Sequence, residues 1–194
     1  MSTKSQVAGA SSVTDMLRED HKKVKGLFEE FEQAEDIKAK QQIVETALME
    51  LEVHSKLEEE LIYPAIRAEI DDDDLMNEAL EEHHVVHGLL GELKKMKPSD
   101  ERYDAKFTVL AENVRHHIKE EENEMLPKAE AVKIDFDALA EKMKRRKERL
   151  LADGVPPVGE EVMVKASRGQ GDPPAKDAKR GMMQRRHPPD PQTD

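Results

Sequence analysis

The sequence predicts an all-α protein: an antiparallel up-down four-helix bundle with an additional C-terminal helix and a disordered C-terminal tail. Three observations carry that expectation. Residues are 37% hydrophobic and 38% charged with no Trp, a palette rich in helix formers and poor in strand formers. Apolar side chains recur in steps of three and four through five stretches. From Asp153 onward the chain holds seven of its ten prolines and five of its nine glycines, too little apolar surface to offset the entropy of ordering. The chain is therefore divided into a flexible start (1–12), one domain (13–152) and a tail (153–194).

Taken in order, the first helix is expected from Thr14 to Ala34, where Leu17, His21, Val24, Phe28 and Phe31 form one seam. A second is expected from Ile37 to Arg67, lining up Ala47, Leu51, His54, Glu58 and Ile62, with Pro64 kinking or closing its end. After the acidic run at 71–74 comes a third, Leu75 to Lys97, carrying Met76, Leu80, His83, His87 and Leu90. The fourth, Asp100 to Lys128, aligns Tyr103, Phe107, Leu110, Val114, His117 and Glu121. The fifth, Phe136 to Ala152, stops at the Asp153-Gly154 C-cap. Short connections between them favour antiparallel neighbours.

Each of the first four helices puts a histidine on its own apolar seam: His21; His54 with Glu58; His83 with His87; His117 with Glu121. Residues four apart share a helix face, so folding would bring five imidazoles and two carboxylates to one interior site. Burying them uncompensated would cost several kcal/mol each, more than a marginal fold of about 5–15 kcal/mol absorbs. Cations among them remove that cost. Two metal ions bridged by the carboxylates satisfy both charge and lone pairs, and the donor set suits iron or another first-row metal. His84 and His116 fall about 100° off the seam and are expected on the flank. Tyr63, five residues after Glu58, is expected at the core edge, with an approach to the site as a hydrogen donor as its alternative, and His187 has no expected role.

Several function classes are excluded. The net charge of −12 opposes nucleic-acid binding. No apolar run reaches the roughly 20 residues of a membrane span, and the N-terminal text lacks a signal-peptide core, so a cytoplasmic location is expected. With no cysteine there is no disulfide or thiolate site. The acidic run lacks the glycine and distal Glu of an EF-hand loop. A ferritin-like carboxylate bundle needs two Glu-x-x-His motifs, and only Glu81 to His84 has that spacing among the candidate histidines. The basic stretch KRGMMQRR in the tail is read as solvated, with docking of a protein partner as its alternative.

The order of His21, then HSKLE, then HHVVH, then HIKEE resembles the hemerythrin-like, or HHE cation-binding, domain over roughly residues 14–130. That resemblance implies two non-heme iron ions with an oxo or hydroxo bridge. His83, His87 and His117 would bind one ion. His21 and His54 would bind the other, which keeps an open position for a diatomic ligand, with Glu58 and a fourth-helix carboxylate bridging the pair. Oxygen carriers of the family place an Asp five residues after the fourth-helix histidine; here Glu121 stands at four and Glu122 at five, and helical geometry favours Glu121. Three roles follow from the resemblance: binding or decomposing O2-derived ligands, peroxide or NO in oxidative or nitrosative stress defence; reversible O2 carriage; and iron handling for iron–sulfur repair. Detoxification is favoured over carriage, because Glu replaces the carriers' Asp.

Overall fold

A computed structural model describes residues 12–156. The expected loose start and Pro/Gly-rich tail, with KRGMMQRR and His187, fall almost wholly outside that range. The described residues contain helices and no strand: α1 (Val13–Gln33), α2 (Ile37–Leu57), α3 (Tyr63–Arg67), α4 (Asp73–Leu93), α5 (Tyr103–Glu120), α6 (Leu126–Glu130) and α7 (Phe136–Asp153). Two π-helical turns, Glu58–Ile62 and Glu121–Met125, join α2 to α3 and α5 to α6. Among the described residues no helix is long and apolar enough to cross a membrane.

Aspartates set three of the helix starts. Asp36, Asp72 and Asp135 accept hydrogen bonds from the backbone N–H of Ala39, Leu75 and Ala138, filling donors that have no partner within the helix. Asp72 explains why α4 begins two residues before the expected Leu75. Gly154 adopts φ +84°, a conformation that favours glycine, and ends α7 at the expected position.

The two π turns have the same cause. Pro64 and Pro127 each lie six residues beyond a seam glutamate. A proline inside a regular helix clashes with the carbonyl four residues back and cannot donate to it. Widening the preceding turn relieves the clash: Tyr63 N–H bonds the Glu58 carbonyl and Leu126 N–H bonds the Glu121 carbonyl, each an i→i+5 step. The long helices are not closed by their prolines. They continue, with one bulge each.

In the bundle, α1 pairs with α2 and α4 with α5, and the two hairpins meet through α1–α5 and α2–α4 contacts. The apolar interior falls into two clusters. One holds Val24, Phe28, Leu51, Leu90, Phe107 and Leu110. The other holds Leu17, Leu57, Ile62, Met76 and Leu126 together with Leu139, Met143 and Leu150 of α7. The boundary between them runs past His21, which follows Leu17 by one helical turn and precedes Val24 by another. Met143 is fully buried. Its replacement by Ala should cost about 2–5 kcal/mol of stability through the cavity left behind, read as a lower denaturant midpoint with metal content unchanged.

Candidate metal centre

Of the seven seam donors, the structure brings six to one interior place. His21, His54, Glu58, His83, His117 and Glu121 are all buried and lie at the boundary between the two apolar clusters. Their inward atoms form two groups sharing Glu58: His21, His54, Glu58 and Glu121 in one; Glu58, His83 and His117 in the other. Glu58 faces both, with Oε1 at 3.1 Å from His54 Nε2 and Oε2 at 3.4 Å from His83 Nε2. Glu121 Oε2 lies 3.2 Å from His21 Nε2 and 3.5 Å from His117 Nε2. Between donor atoms bound to one first-row ion at about 2.1 Å, edges of about 3.0–3.4 Å are expected. The distances observed are nearly those edges.

These atoms face a common space more than each other. His21 Nε2, both nitrogens of His54, both oxygens of Glu58 and Glu121 Oε2 are buried and make no hydrogen bond. Several sit within ion-pair distance, yet their alignment is wrong for donation. Buried polar atoms without partners are costly, so a cluster of them fits a bound cation.

Behind the imidazoles stands a second row of carboxylates. His21 Nδ1 contacts Glu122 at 3.0 Å, His83 Nδ1 contacts Glu59 at 2.9 Å and His117 Nδ1 contacts Glu82 at 2.7 Å. Asp20 takes the same place behind His54 at 3.8 Å and is itself paired with Lys147 of α7. A carboxylate at Nδ1 fixes the ring and aims Nε2 inward, the usual outer partner of a metal-binding histidine. The arrangement repeats between hairpins: Asp20 and Glu82 each precede a seam histidine, and Glu59 and Glu122 each follow a seam glutamate.

Glu121 rather than Glu122 enters the centre, as helical geometry favoured; Glu122 turns outward to His21 and Lys25. His87 stands one step out. Its Nε2 contacts Glu59 at 2.8 Å, and it groups with Glu59 and His83 instead of with His117. Tyr63 is not at the core edge. Its hydroxyl donates to Glu121 Oε1 at 2.8 Å and lies 3.1 Å from His83 Nε2 and 3.3 Å from His117 Nε2. The π turn accounts for this, since a five-residue step carries Tyr63 back over Glu58. His84 and His116 are on the surface, as expected from their offset.

Electrostatics follow from packing acids against imidazoles away from water. Burial alone would lower the His54 pKa, but the Glu58 charge and the nearby Asp20 carboxylate raise it to about 10. Burial likewise opposes charging of His83, and Glu58 and Glu59 raise its pKa to about 9. Glu59 is brought down to about 2 against its burial by His83 and His87. Burial and the Glu121 charge push the Tyr63 hydroxyl well above its ordinary value, so it stays protonated.

Beside the centre is a small cavity with apolar walls from Val24, Leu51, Val86, Val114 and Ile118, and a floor including His21, His54, His83 and His117. The space open to a water-sized sphere is about 10 Å³, close to the minimum that holds one water.

This chain belongs to the hemerythrin HHE cation-binding domain family, whose model matches residues 12–129. Among solved structures it is similar to a hemerythrin HHE cation-binding domain-containing protein from Mycobacterium kansasii, at 25% identity and a TM-score of 0.61, covering 81% of this chain and 99% of that one. Among curated proteins it is similar to a DNA nickase from Nostoc sp., 30% identical over 112 residues, which is 58% of this chain. The match takes in 32% of the nickase, so the chain spans about a third of that relative's length.

Proposed function

We propose that the buried cluster holds two non-heme iron ions and acts on peroxide or NO in oxidative or nitrosative stress defence. The observation that supports it most is the set of buried, unpartnered donor atoms at the spacing of coordination edges. Bound iron would supply a Lewis-acidic, redox-active position for a small ligand. His21 and His54 would hold one ion and His83 and His117 the other, with Glu58 and Glu121 spanning them. His87 would join the His83 side of the centre through Glu59, which contacts both rings.

The cavity is about the size of one water, which favours a ligand of one or two heavy atoms, and valine, leucine and isoleucine make up much of its wall. That same apolar pocket favours reversible O2 carriage as a second reading. Tyr63 favours turnover: its hydroxyl, which keeps its proton, lies among His83, His117 and Glu121, where it can donate a hydrogen bond to an oxygen of the ligand. The nickase's activity does not extend to this reading, because a chain of net charge −12 is poorly suited to a phosphate backbone.

The test is metal content and optical spectrum of iron-loaded protein, reduced without O2 and then exposed to O2 or to peroxide. Two irons per chain with rapid peroxide consumption are expected. Fewer than two overturns the centre, whereas two irons with a stable adduct that reverses on removing O2 moves the function to carriage. Tyr63→Phe keeps the ring volume and should leave iron content unchanged while slowing peroxide consumption by about 10²-fold or more. Unchanged turnover in that variant would remove Tyr63 from the chemistry.

A further inference from the structure

The two hairpins match closely at the centre but differ on their outer faces. Behind His54, the carboxylate of Asp20 is covered by α7 through Lys147, and the neighbouring α2 positions are Val53 and Leu57, both buried. Behind His117, no helix among the described residues pairs with the corresponding carboxylate, Glu82, as α7 does with Asp20. The α5 positions that answer to Val53 and Leu57, one before His117 and three after it, are His116 and Glu120. Two buried apolar residues in one hairpin are replaced by two metal-binding side chain types in the other.

Those residues converge. His116 Nε2 lies 3.2 Å from Glu120 Oε1 and 3.5 Å from Glu82 Oε1, and the three donors form a compact group drawn from two helices. His116 and Glu120 are four residues apart, so one face of α5 presents both. Glu82 is held in place from behind, since its other oxygen contacts His117 Nδ1 at 2.7 Å. The spacings again match the edges of a first-row coordination sphere, about 3.0–3.4 Å. One imidazole and two carboxylates carry two negative charges toward a divalent ion, with remaining positions open to water because the His116 side chain is 62% exposed.

We propose that Glu82, His116 and Glu120 form a surface site for a divalent first-row cation, joined to the buried centre through the two oxygens of Glu82. An ion there and His117 would share the Glu82 carboxylate, one oxygen to each. The surface site stands independently of what the interior cluster holds.

The experiment uses the full chain with its interior metal counted first, titrated with Zn2+ by calorimetry, with interior metal counted again afterwards. One further Zn2+ per chain is expected. His116→Ala and Glu120→Gln should each weaken it at least tenfold, with interior content and thermal unfolding midpoint unchanged. The proposal is overturned if the wild-type chain takes up no Zn2+ beyond its interior metal, leaving His116 only an ion-pair partner. It is equally overturned if both variants bind the extra Zn2+ as tightly as wild type, which would place that ion elsewhere on the acidic surface.

Discussion

Replacing Glu58 by Ala should empty both halves of the centre at once. Glu58 is fully buried and offers a separate oxygen to each group of donors, one on the His54 side and the other on the His83 side, whereas Glu121 reaches toward both with a single oxygen. Removing it takes a ligand from each ion and leaves His54 and His83 without their shared counter-charge. Metal content per chain should fall below one, against two for the wild type, and the stabilisation that metal gives should vanish with it. The metal-free variant should also be about 3–5 kcal/mol less stable than metal-free wild type near pH 7, the usual cost of stranding one side of a buried ion pair. Metal analysis and denaturant unfolding of both forms read this directly. A Glu58→Ala protein that keeps two ions would mean that the groups are independent sites and the bridge is wrong.

The second large effect is on protons. In the metal-free protein His54 titrates at about 10 and His83 at about 9, so both are charged at pH 7. A metal binds neutral imidazole, so loading must expel those protons, about two per chain at pH 7 from these two rings. Affinity should therefore rise with pH and level off above about 10, where neither ring has a proton left to lose. Calorimetric titration in two buffers of different ionisation heat counts the protons; a count near zero would contradict the charged imidazoles. Stability of the metal-free form should run the other way. Both folded pKa values lie above the ordinary histidine value of 6.5, so their contribution is complete below that pH and is lost as pH rises through 9 and 10. At the acid end Glu59, lowered to about 2, contributes above the ordinary value of 4.5 and stops contributing as pH falls through 2.

The helices and the inward-facing donors were legible because both depend on the same period. His21, His54, His83 and His117 occupy seam positions, and a seam fixes what faces the interior. For Tyr63 the less favoured of two placements is the one observed, because a regular helix turns a five-residue step away from its origin, whereas here the chain makes a π turn. A signal for that turn was present: the pattern of His, then Glu four later, then Pro six later, occurs at His54-Glu58-Pro64 and again at His117-Glu121-Pro127. The outer carboxylates were hidden by composition. Asp20, Glu59, Glu82 and Glu122 sit in glutamate- and lysine-rich text, and nothing in the period separates an acid that backs an imidazole from one that faces water. His87 shows the converse, a seam position whose side chain prefers a nearby acid to the centre.

The two π turns also bear on how this chain tolerates changes in length. Each amounts to one surplus residue within an otherwise regular helix, placed where the helix meets a proline. Loss of a single residue between Glu58 and Ile62 would turn the five-residue step into an ordinary four-residue one, which again sets Tyr63 over Glu58 and leaves the facing of the helix downstream unchanged. Tyr63 and Ile66, now buried, would keep their places together. Homologues that are one residue shorter at this point should therefore carry the tyrosine four residues after the glutamate, still opposite His83 and His117, whereas a deletion in the regular turns of α2 would rotate the residues beyond it by about 100°.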